Sequence, residues 1–361
     1  MRARIVHSAQ YAGRMPLPSS RGASARALAR FLRIGALALA VVLVQPAQAA
    51  GALAERPAVK AFIQTMVARH DFSQEKLEAL FREVELRPDI IRAISQPAES
   101  KPWYKYRPIF VTADRIRQGL AFWNQHEDVL KRAEQAYGVP PSIIVAILGV
   151  ETRYGAHTGS YRVVDALSTL AFDYPPRADF FRGELEHYLL MAREEGFAAD
   201  SRLGSYAGAM GQPQFIPSSF RAYAVDFDED GQRNLWSDTA DAVGSVANYF
   251  KRHGWRSGGP IAVHVQVEGD PQPLLDKGLK PKIPVRELRA HGVALPETID
   301  DGELGALLAL ETEHGHQYWV VFHNFYVITR YNHSPLYAMA VYQLGEGLGT
   351  ARGEAHTASR K

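Results

Sequence analysis

The stretch Pro140-Pro141-Ser142-Ile143-Ile144-Val145-Ala146-Ile147-Leu148-Gly149-Val150-Glu151 decides how this chain is read. Proline suits the first turn of a helix, where its missing N–H costs no bond, so a helix is predicted to open at Pro140-Pro141. Gly155 then ends it. Ile144, Ile147, Leu148 and Glu151 fall at i, i+3, i+4 and i+7, which puts one carboxylate on the face that carries the apolar side chains. A lone acid on such a face is costly while ionised, and the protonated form it then favours is what a general acid needs. The helix alone leaves a second reading open, in which Glu151 lies at a frayed end and pairs with Arg153 or another cation.

Further along, residues 204–217 read Gly-Ser-Tyr-Ala-Gly-Ala-Met-Gly-Gln-Pro-Gln-Phe-Ile-Pro, too rich in glycine and proline for a helix interior. Such a chain brings backbone close to a ligand. Ser205, Gln212 and Gln214 offer neutral hydrogen-bonding groups suited to sugar hydroxyls and N-acetyl amides, and Tyr206 and Phe215 offer flat apolar faces suited to pyranose rings. An ordinary turn-rich loop is the competing reading.

The chain has 361 residues, 46% hydrophobic and 22% charged, which is the composition of a folded globular protein with room for more than one core. Seven arginines and no acid precede an apolar run at residues 34–44, followed by Ala47-Gln48-Ala49. That order of charge, apolar run and small residues is a secretory signal, expected to span residues 1–49, with Met15 an alternative start and a retained anchor the competing reading. Without those arginines 34 basic residues face 39 acidic ones, a net charge near −5 in place of +2, so a nucleic-acid partner loses its electrostatic support. The chain has no cysteine, which excludes disulfides, thiolate metal sites, a cysteine nucleophile and a lipid-modified cysteine. A soluble periplasmic monomer without a permanent anchor is the expectation.

Helical spacing runs through residues 55–99, with Val59, Phe62, Ile63 and Met66 followed by Leu77, Leu80 and Phe81. Residues 96–108 hold three prolines among aromatics and read as an extended connector that helices do not cross. Ile261, Val263, Val265 and Val267 alternate with Ala262, His264, Gln266 and Glu268, the period of a strand. Residues 318–326 read as apolar and β-rich, residues 335–344 as helix, and the end from about Thr350 as loose.

Four segments then become familiar: residues 149–155 (Gly-Val-Glu-Thr-Arg-Tyr-Gly), the 204–217 loop, Asn248-Tyr249-Phe250, and residues 325–332 (Phe-Tyr-Val-Ile-Thr-Arg-Tyr-Asn). Together they closely resemble the lytic murein transglycosylase B family, over residues 55–349. The resemblance implies a mainly α (α+β) fold: a signal at 1–49, a helical domain at 50–135, a lysozyme-like core at 136–257, a small β-containing module at 258–312, a return to the core at 313–349 and a flexible tail at 350–361. It implies Glu151 as the one catalytic acid and base, and Tyr106, Arg177, Ser205, Gln214, Phe215, Tyr249 and Tyr331 as cleft residues. At Tyr174-Pro175-Pro176-Arg177 the chain departs from a family pattern of paired arginines, which weakens the case for Arg177. The implied partners are peptidoglycan glycan strands, with other cell-wall enzymes a further possibility.

Ordinary glycosidases need two carboxylates about the scissile bond. A transglycosylase manages with one, because the substrate's own 2-acetamido group supports the developing cation and its 6-hydroxyl replaces water. The expected product is a 1,6-anhydromuramic end. A hydrolytic muramidase and a noncatalytic wall-binding protein of the same fold are the rival readings.

Asp226-Phe227-Asp228-Glu229-Asp230-Gly231-Gln232 places carboxylates at positions 1, 3 and 5 and glycine at 6, the opening of an EF-hand-type loop suited to Ca²⁺. Position 12 is Ser237 where a standard loop has glutamate, so Asp238 or Asp241 must close it. The family resemblance favours Asp241, with the carbonyl of Gln232 as a further ligand and no organic cofactor. His314, His316, His323 and His333 lack the helical spacing of a zinc site, and Lys277, Lys280 and Lys282 read as a solvated basic turn.

Overall fold

A computed structural model describes residues 53–95 and 101–358; the expected signal at 1–49 and the first part of the 96–108 connector lie outside the described residues. Helices α1 (Pro57–His70), α2 (Gln74–Glu83) and α3 (Pro88–Ile94) form the N-terminal unit. Val59, Phe62, Ile63 and Met66 of α1 and Leu77 and Phe81 of α2 are buried, as their spacing predicts. Then follow α4 (Trp103–Phe110), α5 (Ala113–Gln125), α6 (Glu127–Tyr137) and α7 (Pro141–Thr152). The short pair β1 (Tyr161–Arg162) and β2 (Leu203–Gly204) brackets α8 (Val163–Asp173) and α9 (Ala178–Glu194). Beyond them lie α10 (Pro217–Tyr223) and α11 (Thr239–Arg252).

The β module holds β3 (Ala262–Val265), α12 (Gln272–Leu275), β4 (Ile283–Pro284), α13 (Val285–Ala290), β5 (Leu304–Thr312) and β6 (Gly315–Val321), and the chain returns through α14 (His323–Tyr331) and α15 (Pro335–Ala358). Its sheet is antiparallel with strand order β3-β6-β5-β4, and Val265, Leu274, Leu288, Val293, Leu307 and Val320 give it a core of its own. The fold is mainly α with a small sheet.

Three expectations need correction. Residues 103–110 are helical despite Pro108, because Trp103 and Phe110 are buried at the two ends and Val111 N–H closes the last turn on the Arg107 carbonyl. The module does not end at 312: β6 pairs with both β3 and β5, so Tyr318 to Val321 are sheet, and helix starts at His323. The expected tail continues α15 to Ala358, held by Arg352, which donates to Asn124 (2.7 Å) and Glu127 (2.5 Å) and covers the Trp123 ring.

Every residue of α7 from Ile143 to Thr152 is buried. A helix apolar all round belongs at the centre of a domain, and α7 packs against α5, α6, α11 and α15. Shelter for Glu151 therefore comes from all sides and not from one stripe. Glycines permit the close approaches: a Cβ on Gly345 of α15 would meet Ile143 at 3.1 Å, and one on Gly149 would meet the Tyr154 ring at 2.7 Å. Among the described residues no single helix is long and apolar enough to cross a membrane.

In an open helix Gly→Ala gains up to about 1 kcal/mol from propensity. Here the Tyr154 ring blocks the methyl, so Gly149→Ala is expected to lower stability by about 1–3 kcal/mol in denaturant unfolding; an unchanged or raised midpoint would refute this packing account.

Candidate active site

Glu151 occupies the last turn of α7 and is 2% exposed. Its Oε1 accepts the phenol hydrogen of Tyr337, from the first turn of α15. Burial and the neighbouring Glu151 carboxylate push the phenols of Tyr337 and Tyr331 well above the ordinary range, so both stay protonated donors. The rings of Tyr331 and Tyr337 stack at 6.5 Å, nearly parallel, and Tyr106 of α4 adds to the upward push on the Tyr337 phenol. The side chain of Arg153 turns to Gln118, donating from Nε to Oε1 (2.8 Å), and Glu151 is held by the phenol.

The helix ends abruptly after Thr152. Arg153 (φ 54°), Tyr154 (φ 60°) and Gly155 (φ 83°) all lie in the left-handed region, which is costly for the first two. The turn persists because it is over-determined: Arg153 N–H and Tyr154 N–H bond back to the Gly149 and Leu148 carbonyls, and the Tyr154 hydroxyl donates to the Arg115 carbonyl (2.8 Å). Thr152 Oγ1 donates to the Gln212 carbonyl (2.8 Å) and accepts from Gly155 N–H (3.0 Å), which fastens the glycine-rich loop to the helix end.

That loop is a tight hairpin in which Met210 and Phe215 exchange both backbone hydrogen bonds. Gln214 adopts φ 54°, and its amide donates to the carbonyls of Thr158 (3.0 Å) and Gly211 (2.9 Å). Tyr331 donates its hydroxyl to the Pro213 carbonyl at 2.5 Å, and Tyr249 donates to the Arg330 carbonyl at 2.6 Å. Ser205 Oγ accepts from Ala207 and Ala209 N–H and closes its own turn. Phe215, at 2% exposed, packs between the rings of Tyr249 and Tyr331, and Tyr206 is buried as well. Neither ring is the open stacking face that their place in a glycine-rich loop suggests, because each closes the core beneath it.

Glu151, Gln214, Phe215, Tyr249 and Tyr331 are therefore brought into one linked cluster with Tyr106 at its edge. The guanidinium of Arg177 stacks on Phe180 (4.1 Å) and feels Tyr174 and Glu184. Sequence reasoning missed Tyr337, which stands 186 positions from Glu151 and carries no local motif. It missed Arg115 too, a buried guanidinium that donates to the Gly149 carbonyl within the helix of Glu151.

Four carboxylates are buried among the described residues: Glu151, Asp165, Glu184 and Asp241. Asp165 accepts from Arg162 and from Glu85 N–H, tying α8 to the N-terminal unit. Glu184 accepts from the N–H and hydroxyl of Ser218 at the start of α10, and burial raises its carboxyl. Asp241 accepts from Phe227 N–H (2.7 Å) and Asn234 N–H (2.6 Å), joining the two ends of the acidic loop. Each of these three serves the fold, and Glu151 alone faces the aromatic cluster.

The acidic loop brings oxygen atoms of Asp226, Asp228 and Asp230 within 4.8 Å of one another. Their backbone is shaped for it, since Gly231 has φ 90° and its N–H bonds to Asp226 Oδ2 (2.8 Å). Desolvation and then repulsion from Asp238 raise the Asp228 carboxyl, and burial, with repulsion from Asp238 and Asp228, raises that of Asp241.

The family described as the transglycosylase SLT domain matches residues 54–346. This chain belongs to the SLT transglycosylase family. It is 46% identical over 315 residues to the membrane-bound lytic murein transglycosylase B of Escherichia coli K12, covering 84% of this chain and 86% of that protein. The Escherichia coli lytic transglycosylase Slt35, solved in complex with calcium, superposes with a TM-score of 0.78 at 45% identity, covering 85% of this chain and 98% of that one. SltB3 of Pseudomonas aeruginosa, solved in complex with NAG-anhNAM-pentapeptide, superposes with a TM-score of 0.73 at 35% identity, covering 80% and 78%.

In this SLT transglycosylase the phenol of Tyr337 bonds to Oε1 of Glu151 and fixes the orientation of that buried acid. Hydrogen bonds to charged groups contribute about 1.5–3 kcal/mol, and about 1.4 kcal/mol is tenfold in rate, so Tyr337→Phe is expected to lower kcat/KM on purified peptidoglycan by tenfold or more. Undiminished turnover in that variant, with the fold intact by circular dichroism, would show that the contact does not matter to the reaction.

Proposed function

We propose that this protein cleaves the β-1,4 bond between N-acetylmuramic acid and N-acetylglucosamine in peptidoglycan, closes a 1,6-anhydro ring on the muramic residue, and uses Glu151 as both acid and base. One observation carries the assignment of Glu151: of the four buried carboxylates among the described residues, the other three accept from backbone amides that hold the fold together, whereas Glu151 accepts from the phenol of Tyr337 in the aromatic cluster beside the glycine-rich loop, within the span of the family match. Tyr337 keeps its proton throughout and holds Oε1, so the carboxyl need not reorient between its two proton transfers.

The sequence of events balances with a single acid. Glu151, protonated, delivers its hydrogen to the bridging oxygen as the bond to muramic C1 breaks, and the 2-acetamido group of the same sugar supports the positive charge. Ionised Glu151 then accepts the 6-hydroxyl proton while that oxygen bonds to C1. No water is consumed and the acid is restored. The NAG-anhNAM fragment held by SltB3 is a product of this kind, which supports the reading. Tyr106, Ser205, Gln214, Tyr249 and Tyr331 are assigned to positioning the glycan and its loop, and Arg177 to the periphery. The substrate places the protein in the cell envelope, and we assign it to the periplasm with residues 1–49 as the export signal.

Slt35 binds calcium, and the acidic loop here has the donors for it. Asp226, Asp228 and Asp230 supply hard oxygens from one side. Asp241 and the Gln232 carbonyl complete the set, since a carboxylate that accepts two amide hydrogens keeps further lone pairs for a cation. The ion would neutralise clustered acids and pin the loop ahead of α11, the helix that carries Tyr249.

Glu151→Gln removes the only proton carrier and should reduce turnover of purified sacculi by at least about 10²-fold. Mass spectrometry of the wild-type digest should show anhydromuramic ends. Full turnover by the variant would overturn the assignment of Glu151, and reducing ends in the digest would make the enzyme a hydrolase.

Ca²⁺ at a hundredfold excess over its Kd should stabilise the fold by about 2.7 kcal/mol, seen as a rise in melting temperature that Asp228→Asn abolishes. A melting curve indifferent to Ca²⁺ and to chelator would dismiss the metal.

A further inference from the structure

Against the 153–157 turn lies an open cleft of about 630 Å³, lined by Gln118, Phe122 and Gln125 of α5 and by Arg153, Tyr154 and His157, with no residue of the glycine-rich loop in its lining. None of these residues serves the chemistry assigned to Glu151. The cleft is nonetheless only two residues along the chain from it, within about 7 Å between Cα atoms.

Arg153 is what makes the cleft more than a surface hollow. Its backbone is left-handed, a conformation that favours glycine at a helix end, so an arginine here is held at a cost. Tyr154 shares that strain for a structural reason: its ring fills the notches at Gly119 and Gly149, and its hydroxyl bonds to Arg115. The one side-chain hydrogen bond of Arg153 among the described residues runs from Nε to the neutral Gln118 Oε1, which orients the guanidinium and leaves its terminal nitrogens for a ligand. Near it the guanidinium of Arg115 donates to the carbonyls of Gly149 and Ile109 and lies over the Phe110 ring, and the two guanidiniums repel each other. Among the described residues no carboxylate makes an ion pair with either. Arg153 thus gives the cleft a cation bonded to a neutral oxygen, with the buried Arg115 adding positive charge nearby, and the rings of Phe122 and Tyr154, stacked at 5.6 Å, give the same cleft an apolar wall.

We propose that this cleft binds the peptide stem of the substrate, with Arg153 as a fork for a stem carboxylate and the Phe122–Tyr154 wall against the aliphatic part of the stem. The proposal rests on the peptidoglycan reading above and names a part of the substrate that Glu151 does not touch. Length permits it: four extended residues span about 13 Å, enough to run from a muramic residue beside Glu151 around the 153–157 turn. Planar bidentate pairing favours arginine over lysine for such a carboxylate. Binding there would also bear on the turn that fastens Thr152 to the glycine-rich loop, so stem-bearing strands would be held at both faces of one strained segment.

Two measurements test this with the full chain. The first compares kcat/KM on glycan strands bearing stems with kcat/KM on the same strands after an amidase has removed them. Arg153→Gln should lower the ratio of the two by about tenfold, Arg153→Lys by less, since one charge-assisted fork is lost. A ratio unchanged by Arg153→Gln overturns the proposal. The second needs no turnover: free stem tetrapeptide, titrated into isotopically labelled protein, should shift the amides of Gln118, Gln125 and His157 in the wild type and leave them in place in Arg153→Gln. Absence of those shifts in the wild type overturns the proposal even where strands are cleaved. If neither kind of strand is cleaved while the shifts appear, the peptidoglycan cleavage reading fails and the cleft stands.

Discussion

A carboxylate inside an otherwise apolar helix is the constraint around which this protein is arranged. Every residue of α7 from Ile143 onward is buried, so Glu151 has no water to solvate it and must be held by donors that the fold supplies. The donor is a phenol from α15, which the same burial keeps protonated. Acid and donor stabilise each other's useful states: the phenol cannot ionise beside the carboxylate, and the carboxylate is fixed by a group that will not compete with it for the proton.

The rest of the site follows from ending α7 directly after that acid. Two non-glycine residues take left-handed backbone in succession, and the cost is offset by bonds that Thr152, Tyr154 and Arg115 make to neighbouring elements. The glycine-rich loop is fastened to this end by Thr152, to α14 by Tyr331 and to the 153–158 turn by Gln214. Its aromatics face inward for the same reason: a loop held to a buried helix end at several points needs a core of its own, and Phe215 with Tyr249 and Tyr331 provides it. The loop's polar groups are spent largely on its own shape, which makes it a rigid wall.

The β module and the acidic loop stand apart from the chemistry but shape its surroundings. The sheet encloses a separate core and hands the chain back through α14 and α15, which carry Tyr331 and Tyr337 to Glu151. The acidic loop precedes α11, the source of Tyr249. Two insertions between core helices thus decide where three of the site's phenols arrive.

Much of this was legible in the amino-acid sequence because it is written in short-range patterns. Proline spacing and apolar periodicity located α7 and Glu151, alternation located β3, and three acids two residues apart located the acidic loop, all within a few turns of chain. Where sequence reading erred, long-range packing had overridden a local signal: Trp103 and Phe110 keep Pro108 in a helix, Arg352 holds the expected tail, and Phe215 is drawn beneath its loop. The partner of Glu151 was not legible at all, since a lone tyrosine 186 positions away carries no period and no motif. Sequence alone determined that Glu151 lies among apolar neighbours, because local periodicity carries that; tertiary structure decided what holds it, because a hydrogen bond between distant segments exists only once the helices between them have packed.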